Sequence, residues 1–522
     1  MPQQARFALI ALWYLAAPSQ GFTRVAPPPV LSRSSIITNA LKLPIELSFL
    51  PYHFGLLERI KKNPPRLSIF KSTVTETART TKESPRQKTL TQPNETPNEV
   101  LVNGEADWLD RLNHKVEGGL GPAVLLGATA LSLGLSNSPV AGAWLSFWNQ
   151  PTVLSAGQHV LTVKDFVNEG LMAFFFFYVG LEIKWEMVAG SLSDRKSALL
   201  PCIAALGGMV VPVLVYMLVN TVAITAAGPT HGSLAGMTVP MATDIAFAMG
   251  VYGLSRKSKL LPPAVGTFLL TLATVDDLGA ILVIATCFAS HLNPGFLILA
   301  ALAQLGLVGM ERRRCSSGKS YLAAGLGLWY CLLRGGINAD IAGVLTGMSV
   351  HATRADPKII KRFTKRWEAA CGLLIMPIFA LGNTAIPLLG GAASGAAVAT
   401  AASGPTCGPA VALGIFAGLV LGKPLGIVAL SWVAVRLGLA TYPKGLDLRH
   451  LAVVGTLGGI GFTMCIFLIE QALPPGPAAT LSKLAVLLAS LASCLAAQVA
   501  MAHAAKPPAQ LAPQLSPQIV QR

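Results

Sequence analysis

The sequence predicts an all-α polytopic membrane protein with about 12 transmembrane helices. Of its 522 residues, 52% are hydrophobic and only 12% are charged, whereas about 25% of the residues in a soluble domain are charged. From about residue 118 onward, apolar runs of roughly 18–25 residues recur, and each is long enough to cross about 30 Å of hydrocarbon as a helix. The runs are rich in Ala, Leu and Gly and do not alternate in polarity, which favours helices over barrel strands.

The distribution of basic residues predicts the topology of these spans. About 12 candidate spans are centred near residues 128, 176, 209, 243, 275, 301, 327, 344, 376, 421, 460 and 491. Lys and Arg concentrate in every second connection between them, as in loops on the positive side of a membrane. This pattern predicts an even number of spans with both termini on that side. The formal net charge of +16 follows from this topology and does not indicate binding to nucleic acid.

The N-terminal region differs in composition from the rest of the chain. Residues 7–17 are apolar but too short to span a membrane, which is typical of a signal peptide. The following segment is rich in Ser, Thr and Pro, and no acidic residue occurs before Glu46, as in organellar transit sequences. We interpret residues 1–104 as a leader and disordered linker, either a two-part plastid leader or a plain basic tail. Residues 105–505 are the predicted transmembrane domain, and residues 506–522 a disordered tail.

Two predicted spans contain residues that interrupt a helix. The first interruption lies at residues 239–244 and includes Pro240, and the second lies at residues 455–463. The second is marked by small and polar residues, among them Gly458, Gly459, Gly461 and Thr463. Carbonyls and helix ends freed in interrupted spans can coordinate ions, whereas Gly and Pro alone also serve helix packing. Because both interruptions coincide with polar groups, they indicate an ion site near the middle of the membrane.

Four charged residues lie within apolar runs, namely Asp244, Asp276, Asp277 and Lys423. Each charge near the bilayer centre costs about 2.5–3.5 kcal/mol, so a purely structural bundle would not retain them. Adjacent helical residues point about 100° apart, and we therefore expect one Asp of the tandem pair to address an ion while the other contacts Lys423. Sodium prefers oxygen ligands, which the carboxylates and Thr243 supply.

Burial and a like-charged neighbour favour the protonated form of a carboxylic acid, so protons and sodium can compete for one site. The sequence thus favours a secondary antiporter of sodium or lithium and protons. Two alternatives remain from other classes, an intramembrane aspartyl protease and a sodium-coupled solute symporter. The phosphate-binding pattern G-x-x-x-x-G-K-[ST] does not occur, so we expect no nucleotide and no cofactor. The eight cysteines show no metal-ligand spacing and are interpreted as buried apolar side chains.

Five segments in order resemble the signature segments of the NhaA family of sodium/proton antiporters. They are Phe177–Lys184, Ala242–Ala248, Val275–Ala280, Gly422–Gly426 and Gly458–Met464. The resemblance, which runs from about residue 112 to 505, implies inverted repeats and two interrupted helices that cross. It also implies electrogenic exchange of two protons for one sodium ion.

The same resemblance assigns roles to the polar residues within the spans. It implies that Asp276 and Asp277 bind the ion and protons, that Asp244 and Thr243 form the first interrupted segment, and that Lys423 balances charge. The implied physiological role is pH and sodium homeostasis. The protein would act in a plastid membrane if residues 1–104 are a plastid leader. The lipid bilayer is the expected surrounding, and a homodimer is left open.

Several positions differ from the NhaA family pattern, and others are additional acidic residues within or near its segments. Glu169 replaces the usual Asp at the start of the second span, and Glu182 lies within the first signature segment. Asn338 stands where the family often has His, and Asp340 is an additional acid nearby. Thr364 likewise departs from the pattern in a basic segment. Both regions are tied to the pH response in the family, so the resemblance does not carry that response over to this chain.

Overall fold

The structure, a computed structural model, describes residues 112–505 with six gaps. The gaps are residues 114–115, 157–158, 229–230, 288–291, 354–356 and 388–407. The described residues belong to one compact unit, Pro97–Arg522. The predicted leader and linker, residues 1–104, and the predicted tail, residues 506–522, lie outside the described residues.

Helices dominate the described part of the chain. The first half contains α1 (Gly121–Ser136), α2 (Ala141–Trp148), α3 (Val163–Phe166), α4 (Met172–Val188), α5 (Arg195–Ala227), α6 (Ile245–Leu254), α7 (Pro263–Cys287) and α8 (Pro294–Arg312). The second half contains α9 (Gly318–Gly335), α10 (Ile341–Met348), α11 (Lys358–Ala370), α12 (Met376–Asn383), α13 (Gly408–Ala417), α14 (Lys423–Arg436), α15 (Leu448–Gly458), α16 (Phe462–Ala472) and α17 (Pro477–Ala504). Tighter or wider turns extend several of them: Val116–Leu120, Val167–Leu171, Ser191–Ser193, Ala235–Met241, Arg256–Leu260, Cys371–Ile375 and Gly418–Gly422.

Seven helices of the described residues are long and apolar enough to cross a membrane. They are Val163–Val188, Lys196–Ala227, Ala235–Leu254, Pro263–Cys287, Pro294–Arg312, Gly408–Arg436 and Pro477–Ala504. Two bent pairs raise the number to nine if each is one span: α1 with α2, bent by 118°, and α15 with α16, bent by 50°. The predicted helical, polytopic membrane fold is confirmed, whereas the count of about 12 spans stays a prediction.

A short β-hairpin, which the sequence did not predict, interrupts the series of helices in the described residues. Strands β1 (Pro151–Ala156) and β2 (His159–Thr162) pair antiparallel, with Pro151 opposite Thr162 and Ala156 opposite His159. A pairing of four to six residues is too short to stand out from helical patterns in an apolar sequence. The hairpin leads directly into α3, whose first turn is capped by Thr162 and Asp165.

The exposed side of α5 is apolar along its length. Leucine and valine side chains recur there every four residues, at Leu206, Val210, Leu214, Leu218 and Val222, and Leu218 is 65% exposed. A stripe of this kind would be unfavourable in water, whereas hydrocarbon tails match it. The stripe therefore agrees with the membrane-spanning fold of this helix.

Glycines allow the interior helices to approach closely. Helix α10 packs on α4, where a Cβ added to Gly343 or Gly347 would collide with the carbonyl oxygen of Ala173 or Phe177. A Cβ on Gly180 would lie 2.6 Å from the carbonyl oxygen of Val344. Such small-residue contacts bring membrane helices together without a hydrophobic driving force.

Candidate ion-binding site at the two interrupted helices

The two predicted interruptions lie against each other. The turn Ala235–Met241 contains Pro240, and the chain then becomes extended at Ala242 before α6 begins. The second interruption separates α15 from α16. The backbone N–H of Asp244 donates to the carbonyl of Ile460 at 2.8 Å, and the Thr243 hydroxyl lies 3.0 Å from the Gly458 carbonyl. In a continuous helix, backbone N–H and C=O groups form hydrogen bonds with each other. Here, such groups form hydrogen bonds across the two interruptions instead.

Asp244 connects the beginnings of two helices. Its Oδ1 accepts a hydrogen bond from the backbone N–H of Phe247 at 2.9 Å, as an N-cap of α6. Its Oδ2 accepts from the backbone N–H of Thr463 at 3.2 Å and from the Thr463 hydroxyl. The positive ends of α6 and α16 therefore both face this carboxylate, which stabilises its negative charge.

Asp276, Lys423 and Thr243 form a buried charged cluster. Lys423 begins α14, and its Nζ donates to Oδ2 of Asp276 at 2.6 Å and also contacts the Thr243 hydroxyl. Thr243 Oγ1 lies 2.6 Å from the same Asp276 oxygen. Lys423 and Asp276 are 0% and 1% exposed, so their charges are compensated within the protein.

Asp277 lies beside this cluster in the middle of α7, but its surroundings differ. It is 1% exposed, and its Oδ1 receives no hydrogen bond from any described residue. A buried carboxylate without a partner is unfavourable as an anion, so this group should bind a proton or a cation. No group of three or more His, Cys, Asp or Glu side chains that could hold a metal ion occurs in the described ranges. The arrangement is a carboxylate with an unpartnered oxygen next to a charged cluster that also contains the Thr243 hydroxyl.

The accessory acids lie at two separate places. Glu182 of α4 accepts a hydrogen bond from the Tyr178 hydroxyl at 2.6 Å and is close enough to Asp277 to interact electrostatically. Glu169 and Asp340 instead interact with each other. Oε2 of Glu169 and both carboxylate oxygens of Asp340 are buried without a hydrogen-bond partner in the described part of the chain. The structure thus brings Glu182 toward the candidate site and places Glu169 and Asp340 in a second acidic pair.

The glycines of the second interruption lie in close contacts. A Cβ on Gly459 would lie 2.7 Å from both the Leu419 carbonyl oxygen and the Ser493 hydroxyl oxygen. A Cβ on Gly461 would collide with the Cys465 sulfur, and one on Gly458 would lie 3.0 Å from Ile427. The sequence predicted the interruption at these residues, and the structure shows that they also permit the helices to pack.

Sequence reasoning missed two polar contacts near the interrupted helices. The thiol of Cys465 donates to the carbonyl of Val239 at 3.0 Å, so the interpretation of the cysteines as apolar side chains is wrong at this position. Glu470 near the end of α16 pairs with Lys164 at 2.8 Å and with Lys483. Gly461, four positions before Cys465, was the only local signal in the sequence for the first contact. The sequence held no local signal for the contacts of Glu470.

Comparison with known proteins places the chain in a family. The family model described as Na+/H+ antiporter 1 matches residues 112–501. A protein of Novosphingobium aromaticivorans named Na(+)/H(+) antiporter NhaA 2 is 41% identical over 387 residues, which cover 74% of this chain and 94% of the relative. The Na(+)/H(+) antiporter NhaA of Yersinia enterocolitica is 37% identical, with 73% and 92% covered. The chain belongs to the NhaA family of sodium/proton antiporters.

Membership of the NhaA family agrees with the geometry of the site. It does not favour the two alternative functions, an intramembrane aspartyl protease and a sodium-coupled solute symporter. A protease that uses two aspartates needs both carboxylates at one water molecule. In this NhaA-family protein, Asp244 is held by helix ends and Oδ2 of Asp276 by Lys423, whereas Oδ1 of Asp276 and Oδ1 of Asp277 have no hydrogen-bond partner among the described residues. Because Lys423 compensates the charge of Asp276 and not that of Asp277, the two adjacent acids are not equivalent, which suits reversible ion binding at Asp277 better than hydrolysis by two aspartates that share one water molecule.

Proposed function

We propose that this protein is a secondary active transporter that exchanges sodium or lithium ions for protons across a membrane. The observation that carries the proposal is the buried, unpartnered carboxylate oxygen of Asp277 next to the paired Asp276. The names of the relatives, which are sodium/proton antiporters, support it. An ion gradient supplies the driving force in this proposal, and no cofactor takes part.

Competition at Asp277 couples the two ions in this mechanism. The carboxylate binds either a dehydrated cation or a proton, and both remove the cost of a buried negative charge. Because both ligands use the same oxygen atoms, binding of one releases the other. The Thr243 hydroxyl, which contacts Asp276 and the Gly458 carbonyl, is an oxygen ligand of the kind that sodium prefers and lies in the same charged cluster.

The Asp276–Lys423 pair is the proposed source of the second proton. Its two charges lie 2.6 Å apart and interact with the charge on Asp277 through Coulomb forces. A cation bound at Asp277 repels the positive charge of Lys423. A proton on Asp277 instead neutralises a negative charge beside Asp276. The pair therefore changes its protonation together with ion binding, and two protons per sodium ion make the exchange electrogenic.

Alternating access requires that the site open to each side in turn. The interrupted helices are joined at their centres by hydrogen bonds of Asp244 and Thr243, whereas a continuous helix would be held by its own backbone ladder. Such contacts can exchange while α6 and α16 stay folded, so we propose that these half-helices move during transport.

The proposed setting of the transporter rests on the sequence alone. The composition of residues 1–104 supports a plastid membrane as its location. The proposed exchange of sodium for protons supports pH and sodium homeostasis as its role. Light scattering of the purified protein, with detergent mass subtracted, tests for a homodimer. Fusion of residues 1–104 to a fluorescent protein tests the location, since accumulation in another compartment would contradict it.

The central experiment uses antiporter-deficient bacteria that express the full chain or the chain from residue 105. Everted vesicles are acidified by respiration, and a pH-sensitive dye reports proton efflux when sodium, lithium or potassium is added. We expect dequenching with sodium or lithium from both proteins. Asp194→Asn, an exposed acid before α5, is the matched control for substitutions at the site and should behave as wild type. No cation-dependent efflux from well-inserted protein would overturn the proposed function.

A further inference from the structure

We propose that Cys465 is a positioning residue of the ion site, whose thiol holds the extended segment that carries Thr243 and Asp244. The inference rests on the proposed exchange function. Cys465 lies in the first turn of α16 and is fully buried. Its sulfur donates to the carbonyl of Val239 at 3.0 Å and lies 3.4 Å from the carbonyl oxygen of Ala242.

These two carbonyls need a donor because the helix is interrupted around them. In a continuous helix, each would accept a hydrogen bond from the N–H four residues later. The chain instead becomes extended at Ala242, with ψ of 150°, so the regular ladder of backbone hydrogen bonds does not continue through this segment. Val239 and Ala242 are both 0% exposed, so their carbonyls depend on protein groups and not on water for hydrogen bonds. The thiol of Cys465 occupies the position between them.

Cys465 also contacts the second interruption. A Cβ on Gly461 would collide with the Cys465 sulfur and would lie 3.3 Å from the carbonyl oxygen of Ala242. The sulfur thus fills the space between the two interruptions, where Gly461 leaves room for it. A thiol is a weak donor with a large, polarizable sulfur atom, which suits a position shared between two carbonyls.

The contact is linked to the charged cluster through a single backbone step. Ala242 directly precedes Thr243, whose hydroxyl lies 2.6 Å from Asp276 and contacts Lys423. If the carbonyl of Ala242 loses its contact with the thiol, the extended segment can shift, and Thr243 shifts with it. The expected consequence is weaker sodium binding, because the Thr243 hydroxyl leaves its position beside Asp276 and Lys423 while the Asp277 carboxylate itself remains.

A series of substitutions separates positioning from packing. Cys465→Ser keeps a hydroxyl donor, whereas Cys465→Ala removes the donor and creates a small cavity. Cys331→Ala is the control for the cavity, since Cys331 is also buried but lies in the separate apolar cluster around α9. For each variant, the half-saturating sodium concentration, the maximal dequenching rate and the pH profile are measured in everted vesicles. Melting temperature in detergent with and without sodium is the second readout.

We expect Cys465→Ala to raise the half-saturating sodium concentration about 5-fold, as for one lost hydrogen bond, and to reduce the sodium-dependent rise in melting temperature. Cys465→Ser should restore most of the affinity, and Cys331→Ala should leave it unchanged. If wild-type protein exchanges sodium and Cys465→Ala has wild-type affinity, the positioning role is wrong although the function stands. Equal losses in Cys465→Ala and Cys331→Ala would likewise overturn it. Wild-type protein without exchange and without stabilisation by sodium would overturn both proposals.

Discussion

Lys423 donates to one oxygen of Asp276 at 2.6 Å inside the membrane domain, where both side chains are almost completely buried. The pair connects α14 with α7 and leaves the next residue, Asp277, without a comparable partner. Removing one partner of a buried ion pair leaves an uncompensated charge, which typically costs about 3–5 kcal/mol. The pair is therefore expected to matter for both the stability and the pH dependence of exchange.

Substitution of Lys423 tests this expectation. Lys423→Arg keeps the positive charge but holds its proton at all accessible pH values, so exchange should persist with a shifted pH profile. Lys423→Ala should lose most exchange and lower the melting temperature, because Asp276 loses its counter-charge. Dequenching at several pH values and thermal unfolding in detergent provide the measurements. Wild-type pH profiles in both variants would remove Lys423 from the mechanism.

Thr463 offers a second test, at the contact between the interrupted helices. Its backbone N–H and its hydroxyl both donate to Asp244, and Thr463→Val removes only the hydroxyl while it preserves the shape. We expect a loss of about 1–3 kcal/mol in stability and a clear fall in exchange, since Asp244 is left with fewer donors. Thr463→Ser should behave as wild type. Unchanged stability and exchange in Thr463→Val would show that the backbone donors alone hold Asp244.

The interrupted helices and the buried charges were predictable because each leaves a local signal. Pro240 and the glycines at 458, 459 and 461 interrupt apolar runs, and Asp276, Asp277 and Lys423 are charged residues inside such runs. Hydrophobicity and helix breakers are properties of neighbouring residues, so the sequence exposes them directly.

The contacts between these features were not predictable in the same way. Asp244 and Thr463 are 219 positions apart, and Cys465 and Val239 are 226 positions apart. Which thiol or hydroxyl reaches which carbonyl depends on how half-helices cross, and no periodicity of one segment encodes that. The pairing of Glu470 with Lys164 and Lys483 was missed for the same reason.

Gly459 allows the packing at the second interruption to be tested separately from its charges. An alanine Cβ there would lie 2.7 Å from the Leu419 carbonyl oxygen, so Gly459→Ala should displace α15 or the turn Gly418–Gly422. We expect exchange to fall at least several-fold and the melting temperature to drop, as in an overpacked core. The matched control is Gly309→Ala in α8, where an added Cβ meets nothing within 4 Å. Equal behaviour of the two variants would contradict the structural argument.

Asp277 is the residue on which the exchange mechanism depends most directly. Asparagine keeps the size of the side chain, but it neither titrates nor supplies the negative charge that offsets a dehydrated cation. Because Oδ1 of Asp277 has no hydrogen-bond partner among the described residues, Asp277→Asn breaks no contact there and should not unfold the protein. We therefore expect Asp277→Asn to abolish sodium-dependent proton efflux at every pH while the melting temperature without sodium is retained or raised.

Calorimetric titration of purified Asp277→Asn with sodium completes this test, since it measures binding without transport. Binding should be lost in Asp277→Asn, whereas Asp277→Glu should bind sodium with altered affinity because the longer carboxylate stays chargeable. Asp276→Asn is the informative comparison: it leaves Lys423 without its counter-charge but keeps the open carboxylate, so some sodium binding should remain. Undiminished sodium binding in Asp277→Asn would show that the ion is held elsewhere, and the assignment of Asp277 as its ligand would then be wrong.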